Sequence, residues 1–178
     1  YFFVDKVTRR ILGEVLTPEP SGASQNILIW QSPAAGLPAP EQYCTVSADG
    51  LAVTADADWQ AREINDLRAA AMAALPAWEA TERAAGIDHA GRRWRTTPAA
   101  LQDIRDVLLL AGTGAVSEWR DDTGAAVPMT FDALRALWGA CITRGMQIDA
   151  RRHDMEQSIA TMTRAQLEAF KPGWPAKP

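Results

Sequence analysis

Residues 130–170 read TFDALRALWGACITRGMQIDARRHDMEQSIATMTRAQLEAF, and this stretch decides the fold. Thr130 offers a side-chain oxygen to the free N–H groups of a helix start. Asp132 lies where the helix dipole favours negative charge, and Met129 can staple against Leu134. Leu134, Trp138, Cys141, Gly145, Ile148, Arg152, Met155 and Ile159 then alternate spacings of four and three. This 3.5-residue period marks a helical seam and predicts one helix from 131 to about 160, roughly 45 Å long. Thr163 and Gln166 then form a capping box, with Met162 and Leu167 as its staple, and a short helix ends near Phe170.

The seam has two readings. In the first it is the core of a C-terminal domain, covered by the helix expected at 97–111. In the second, part of the helix at 131–160 pairs with its counterpart in another copy, giving a homo-oligomer. Arg152 at a seam position costs stability in a dry core unless it is paired or exposed, while Gly145 permits close backbone approach. The first reading is preferred.

Upstream, residues 87–128 read as a small α+β unit. Ala90-Gly91 makes a turn before a strand at Arg93-Trp94-Arg95. Thr97-Pro98 supplies an N-cap with Pro at the first helical position, where its missing N–H costs nothing. Leu101, Ile104, Leu108 and Ala111 form the apolar stripe of that helix, which stops at Gly112. Val116–Arg120 and Ala125–Met129 flank Asp121-Asp122-Thr123-Gly124, a hairpin with Gly at the unusual φ. Before this unit, residues 56–86 read as a helical connector. Asp56 or Asp58 caps it, Ile64, Leu67, Ala71, Leu75 and Trp78 face one way, Pro76 kinks it or starts a second segment, and Gly86 stops it.

Residues 1–55 read as a Pro-rich β/loop attachment region. Strands are expected at Tyr1–Val4, Arg10–Leu16 and Asn26–Gln31, and Asp49-Gly50 signals a hairpin between Tyr43–Ser47 and Leu51–Thr54. Pro18, Pro20, Pro33, Pro38 and Pro40, with Gly22 and Gly36, forbid long central strands. The whole is α+β: region 1–55, connector 56–86, a C-terminal α+β domain at 87–170 dominated by one long helix, and a Pro-rich tail at 171–178.

Among 178 residues, 47% are hydrophobic and 22% charged, with a net charge of −4, the balance of a folded chain with no general attraction for nucleic acid. The clusters Arg92, Arg93, Arg95 and Arg151, Arg152 read as solvated faces. Cys44 and Cys141 are isolated thiols suited to a reducing cytoplasm, with a disulfide between them left open. No apolar run approaches the length of a membrane span, so no membrane insertion is expected. The opening Tyr1-Phe2-Phe3-Val4-Asp5 lacks the basic start and apolar core of a signal peptide, and Tyr1 is not an expected residue after Met removal.

No catalytic, cofactor or metal site is assigned. His89 and His153 read as surface residues, outside any ligand motif. Asp149, His153 and Glu156 share a helix face but do not close a metal site. Gly112-Thr113-Gly114 follows a helix and therefore reads as a C-cap instead of a phosphate loop. Of seven tryptophans, Trp78, Trp119 and Trp138 are assigned to the core. Trp174, in an otherwise unpacked tail, is a docking element.

The stretch 86–170 resembles the phage-associated domain family DUF4376. The resemblance rests on Gly86-Ile87-Asp88 with the Arg93-Trp94-Arg95 strand, the Thr97-capped helix and the hairpin with Ser117-Glu118-Trp119-Arg120. Met129-Thr130 at the head of a long helix and the closing helix complete it. The resemblance implies no catalytic residue. It implies a non-enzymatic bacteriophage tail protein that assembles or attaches receptor-binding fibres. Such a protein is made in the host cytoplasm and placed in the virion tail, with fibre or baseplate proteins as partners. The layout also matches members with a variable β-rich N-terminal part. Strand addition at a sheet edge would make the contact, and Tyr1, Phe2, Phe3, Trp30 and Trp174 are the candidate partner-binding residues. The alternatives are a transient assembly chaperone absent from the virion and, from the tryptophans, a carbohydrate-binding module.

Overall fold

A computed structural model describes residues 1–14, 27–31, 36–110 and 117–175, which fall into two units, Tyr1–Asn65 and Asp66–Pro178. The first opens with an antiparallel sheet of three four-residue strands, β1 (Phe2–Asp5), β2 (Ile11–Glu14) and β3 (Ile27–Trp30), in the order β2-β1-β3. Phe2 sits opposite Trp30, and Val4 opposite Leu28 and Ile11. The turn after β1 is organised by the Asp5 carboxylate, which accepts from the N–H groups of Val7 and Thr8. A single 3-10 turn (Glu41–Tyr43) leads into β4 (Cys44–Val46), which pairs with β5 (Val53–Ala55). Val4, Ile11, Trp30, Cys44 and Val46 form the core of this unit, with Phe2, Leu37, Ala39 and Val53 packed against it.

The Asp49-Gly50 hairpin is present but wider than a two-residue turn, since the last paired residues are Val46 and Val53. Side chains take over the loop's backbone groups. The Ser47 hydroxyl accepts from the Ala52 N–H at 2.9 Å and the Asp49 carboxylate from the Leu51 N–H at 3.0 Å. The expected ends of strand 10–16, the start of strand 26–31, and the turn residues Pro18, Pro20, Gly22 and Pro33 lie outside the described residues.

Helix α1 (Trp59–Ala84) begins in the first unit. Ahead of it, the Asp56 carbonyl accepts from the Trp59 N–H at 3.1 Å and the Asp58 carbonyl from the Arg62 N–H at 3.1 Å, and the Asp56 carboxylate is drawn to arginines. That carboxylate receives Arg10, at 2.9 Å, and Arg62. Pro76 neither ends the helix nor starts a second one: α1 runs through it. Met72 and Pro76 are both exposed, so water can serve the carbonyl that proline leaves without a donor.

In the second unit, β6 (Ile87–His89) and β7 (Arg92–Trp94) form a hairpin closed by Ala90 and Gly91, with φ of 50° and 75°. Two successive left-handed residues give the tight turn whose twist matches the strands. β7 thus starts one residue before the stretch read as a strand. Gly86, at the end of α1, has φ of 85°, and a Cβ there would lie 2.7 Å from the Trp94 carbonyl oxygen, so only glycine fits. The buried Thr96 hydroxyl donates to the Arg83 carbonyl at 2.6 Å and accepts from the Gly86 N–H at 3.0 Å, fastening this hairpin to the helix end.

Helix α2 (Pro98–Leu109) starts as read, with Thr97 accepting from the Ala100 N–H. Ala111 and the Gly112-Thr113-Gly114 segment lie outside the described residues. The hairpin of β8 (Glu118–Arg120) and β9 (Ala126–Pro128) turns on Asp121. One oxygen of that buried carboxylate accepts from Thr123 N–H, Thr123 hydroxyl and Ala125 N–H, the other from Arg92. The Thr123 hydroxyl, above all, holds Asp121 below the usual carboxylate range.

Helix α3 (Phe131–Thr161) carries the Thr130 cap, and α4 (Arg164–Glu168) carries the full Thr163/Gln166 capping box. Leu134, Cys141, Ile148, Met155 and Ile159 of the seam are buried. Leu137, which the seam omitted, is 1% exposed and Trp138 is only half-buried. The cause is that α2 and the two hairpins cover a broader stripe near the start of α3 than a two-position seam allows. Ile87, Trp94, Ile104, Met129, Leu134, Leu137 and Cys141 make that core, with Trp119 and Trp138 packed at its border. Trp94, read as a strand residue, is thus the fully inserted tryptophan.

Candidate interaction site

The N-terminal candidates part company. Tyr1 is 42% exposed, but Phe2 and Phe3 are half-buried on β1. β1 is the central strand with both edges hydrogen-bonded, so Tyr1–Val4 offers no edge for strand addition; the outer strands are β2 and β3. Trp30 is 8% exposed and belongs to the core, which corrects its reading as a docking residue. Its position opposite Phe2 puts both rings on the buried face, 6.2 Å apart, and its indole N–H donates to the Gly50 carbonyl at 2.9 Å.

Trp174 is docked, but on its own chain. Its ring lies 5.7 Å from that of Trp78 on α1, tilted by 58°. The Arg144 guanidinium of α3 sits 4.4 Å from the ring centre, a cation–π contact. The indole N–H donates at 2.8 Å to a Glu82 carboxylate oxygen, which also accepts from Arg144 at 2.6 Å. Arg151 donates to the Gly173 carbonyl at 2.7 Å, and the Gly173 N–H meets the Met155 sulfur at 3.5 Å. The tail expected to be unpacked is therefore seated in a socket built by α1 and α3.

The same two helices are tied farther along. Glu79 receives Arg152 and Arg83, and Arg152 also reaches Glu156 at 2.9 Å. Arg152, first among these, holds the Glu79 carboxyl below its usual range. Arg151 and Arg152 are thus half-buried structural groups instead of a solvated face. Arg92 and Arg93 bond Asp121 and Asp88 at 3.0 Å each, and Arg95 lies 3.5 Å from Asp122. Gly145 faces α1 as well: an added Cβ would lie 3.4 Å from Arg83. The seam positions Gly145 and Arg152 are therefore engaged within the chain.

A second feature of α3 is an apolar groove of about 360 Å³ lined by Leu101, Trp138, Cys141, Ile142, Met146 and Ile148, with Arg83, Arg144 and Asp149 also lining it. Ile142 is 46% and Met146 68% exposed.

Both cysteines are buried and free, and loss of solvent pushes each thiol up, away from the reactive thiolate. His89 is half-buried at the end of β6, its carbonyl accepting from the Trp94 indole, and His153 is exposed on α3. Among the described residues no group of three or more His, Cys, Asp or Glu is placed to hold a metal, and no helix is long and apolar enough to cross a membrane.

The family model described as a domain of unknown function, DUF4376, matches residues 66–171. The chain belongs to that family. The DUF4376 domain starts within α1, earlier than the resemblance at 86–170 placed it. The fold gives the reason: Leu75 of α1 is fully buried, and Glu79 and Glu82 pair with α3, so this helix is a wall of the domain. No curated protein and no solved structure matches the chain.

Sequence reading missed Trp78, Glu82 and Arg144 as partners of Trp174. The available signal was the acidic pair Glu79 and Glu82 on one helix and the arginines at 144, 151 and 152 on another. Their meeting depends on how two helices distant in sequence are laid together.

Proposed function

We propose that this chain is a non-enzymatic component of a bacteriophage tail that assembles or attaches receptor-binding fibres. The observation that carries the reading is the apolar groove of α3, where Ile142 and Met146 stay exposed beside Trp138 and Leu101. Large apolar side chains gathered in one concave site favour burial against another polypeptide. Membership of DUF4376 and the β-rich unit preceding the domain support the phage context by resemblance. The partners in this reading are fibre or baseplate proteins, and the place of action is the virion tail.

The test is co-purification with the fibre proteins of the phage that encodes this chain, together with mass spectrometry of purified virions. Peptides at a fixed stoichiometry in virions, with loss of fibre capture by Met146→Glu, support the reading. Fibre capture without virion peptides turns it into a transient assembly factor. No capture and no virion peptides reject it.

A further inference from the structure

The Trp174 socket is a built site of ring, cation and carboxylate that the chain fills with its own tail. Among the described residues, α1 and α3 meet the tail with the Trp78 ring, the Arg144 cation, the Glu82 carboxylate, the Arg151 guanidinium and the Met155 sulfur. The socket lies inside the matched family domain, whereas Pro172–Trp174 lies past its last matched residue, 171. The recognition chemistry is specific. One carboxylate fixes the indole N–H, one cation covers its face, and one guanidinium reads a backbone carbonyl two helical turns away from Arg144 on α3. Gly173 itself makes little demand, since a Cβ there meets nothing within 4 Å. Trp174 keeps 39% of its surface exposed, so the tail is held by a few contacts and is not entombed.

We infer that the socket binds a tryptophan on an extended, proline-flanked segment, and that its ligand in trans is the Pro172–Pro175 segment of a second copy. The resident tail is an intramolecular competitor. Its tether from α4 is a few residues long, which corresponds to an effective concentration of about a millimolar, so exchange between copies is held down until the tail is displaced. This inference stands apart from the phage reading, because it concerns what the socket recognises and not where the protein acts.

The experiment uses the full-length chain and a fluorescent peptide with the sequence of residues 170–178. Trp174→Ala, confirmed as folded by circular dichroism, is expected to bind the peptide saturably. The unsubstituted chain should bind about tenfold more weakly, because its own tail occupies the socket. A peptide with alanine for tryptophan should not bind, and Arg144→Ala added to Trp174→Ala should weaken binding. Trp174→Ser takes the place of the alanine variant if the latter precipitates. The idea fails if the folded variant shows no saturable binding up to millimolar peptide. It fails equally if the tryptophan-free peptide binds as well, or if the unsubstituted chain binds as tightly as the variant.

Discussion

Arg152, at a seam position of the long helix α3, is ion-paired to Glu79 of α1 across 73 residues of sequence. The pair answers the cost of placing a guanidinium on a packing face: the charge is met by Glu79 and Glu156, and the side chain stays about a third exposed.

Glu79 should make the domain sensitive to acid. Arg152 and then Arg83 depress its folded-state pKa, so its contribution is complete above about pH 5 and is lost as the pH falls through the folded value. Glu79→Gln is expected to cost about 1–2 kcal/mol at neutral pH and to flatten the acid limb of stability. Thermal midpoints measured from pH 7 down to pH 2 check both parts. An unchanged acid limb would refute the assignment.

Gly86→Ala should be severe for a surface-near position. The new Cβ would meet the Trp94 carbonyl oxygen at 2.7 Å, on a residue already at positive φ. A loss of about 2–3 kcal/mol is expected by urea unfolding, with the slope unchanged.

Ala90→Asn should act in the opposite direction. Ala90 holds a left-handed φ of 50° in the turn between β6 and β7, a conformation Asn tolerates better. A gain of about 0.5–1 kcal/mol is expected in the same measurement, and a loss would show that the turn is held in some other way.

Leu137→Ala separates the observed packing stripe from the seam read in the sequence. Leu137 is 1% exposed in the core under α2 and the hairpins, so truncation should cost about 2–5 kcal/mol. Met146→Ala, on the exposed side of the same helix at 68%, should stay within about 0.5 kcal/mol. Equal effects at the two positions would contradict the placement of the helix.

Much of this architecture is written locally. Thr97, Thr130 and Thr163 cap the helices they were assigned, because a cap needs only a hydroxyl and N–H groups two or three residues on. Ala90-Gly91 and Asp121–Gly124 turn for equally local reasons. Pro76 does not start a second segment, because the helix around it is supported by packing on its other face, where Ala71 and Leu75 are buried. Trp30 was misjudged for a related reason. A tryptophan on an outer strand looks available until the register sets it against Phe2 and its N–H finds Gly50.

By itself the sequence determined the helices, their caps, the hairpins and the α+β class, since periodicity and backbone chemistry act within a few residues. Tertiary structure alone decided how wide the buried stripe of α3 is, burying Leu137 and leaving Trp138 half-buried. It set Arg152 and Arg144 against acids of α1, and it seated Trp174 between Trp78 and Arg144 in place of leaving it on a bare tail. Those outcomes depend on charges and rings at least thirty residues apart in sequence, and no local pattern encodes where such groups meet.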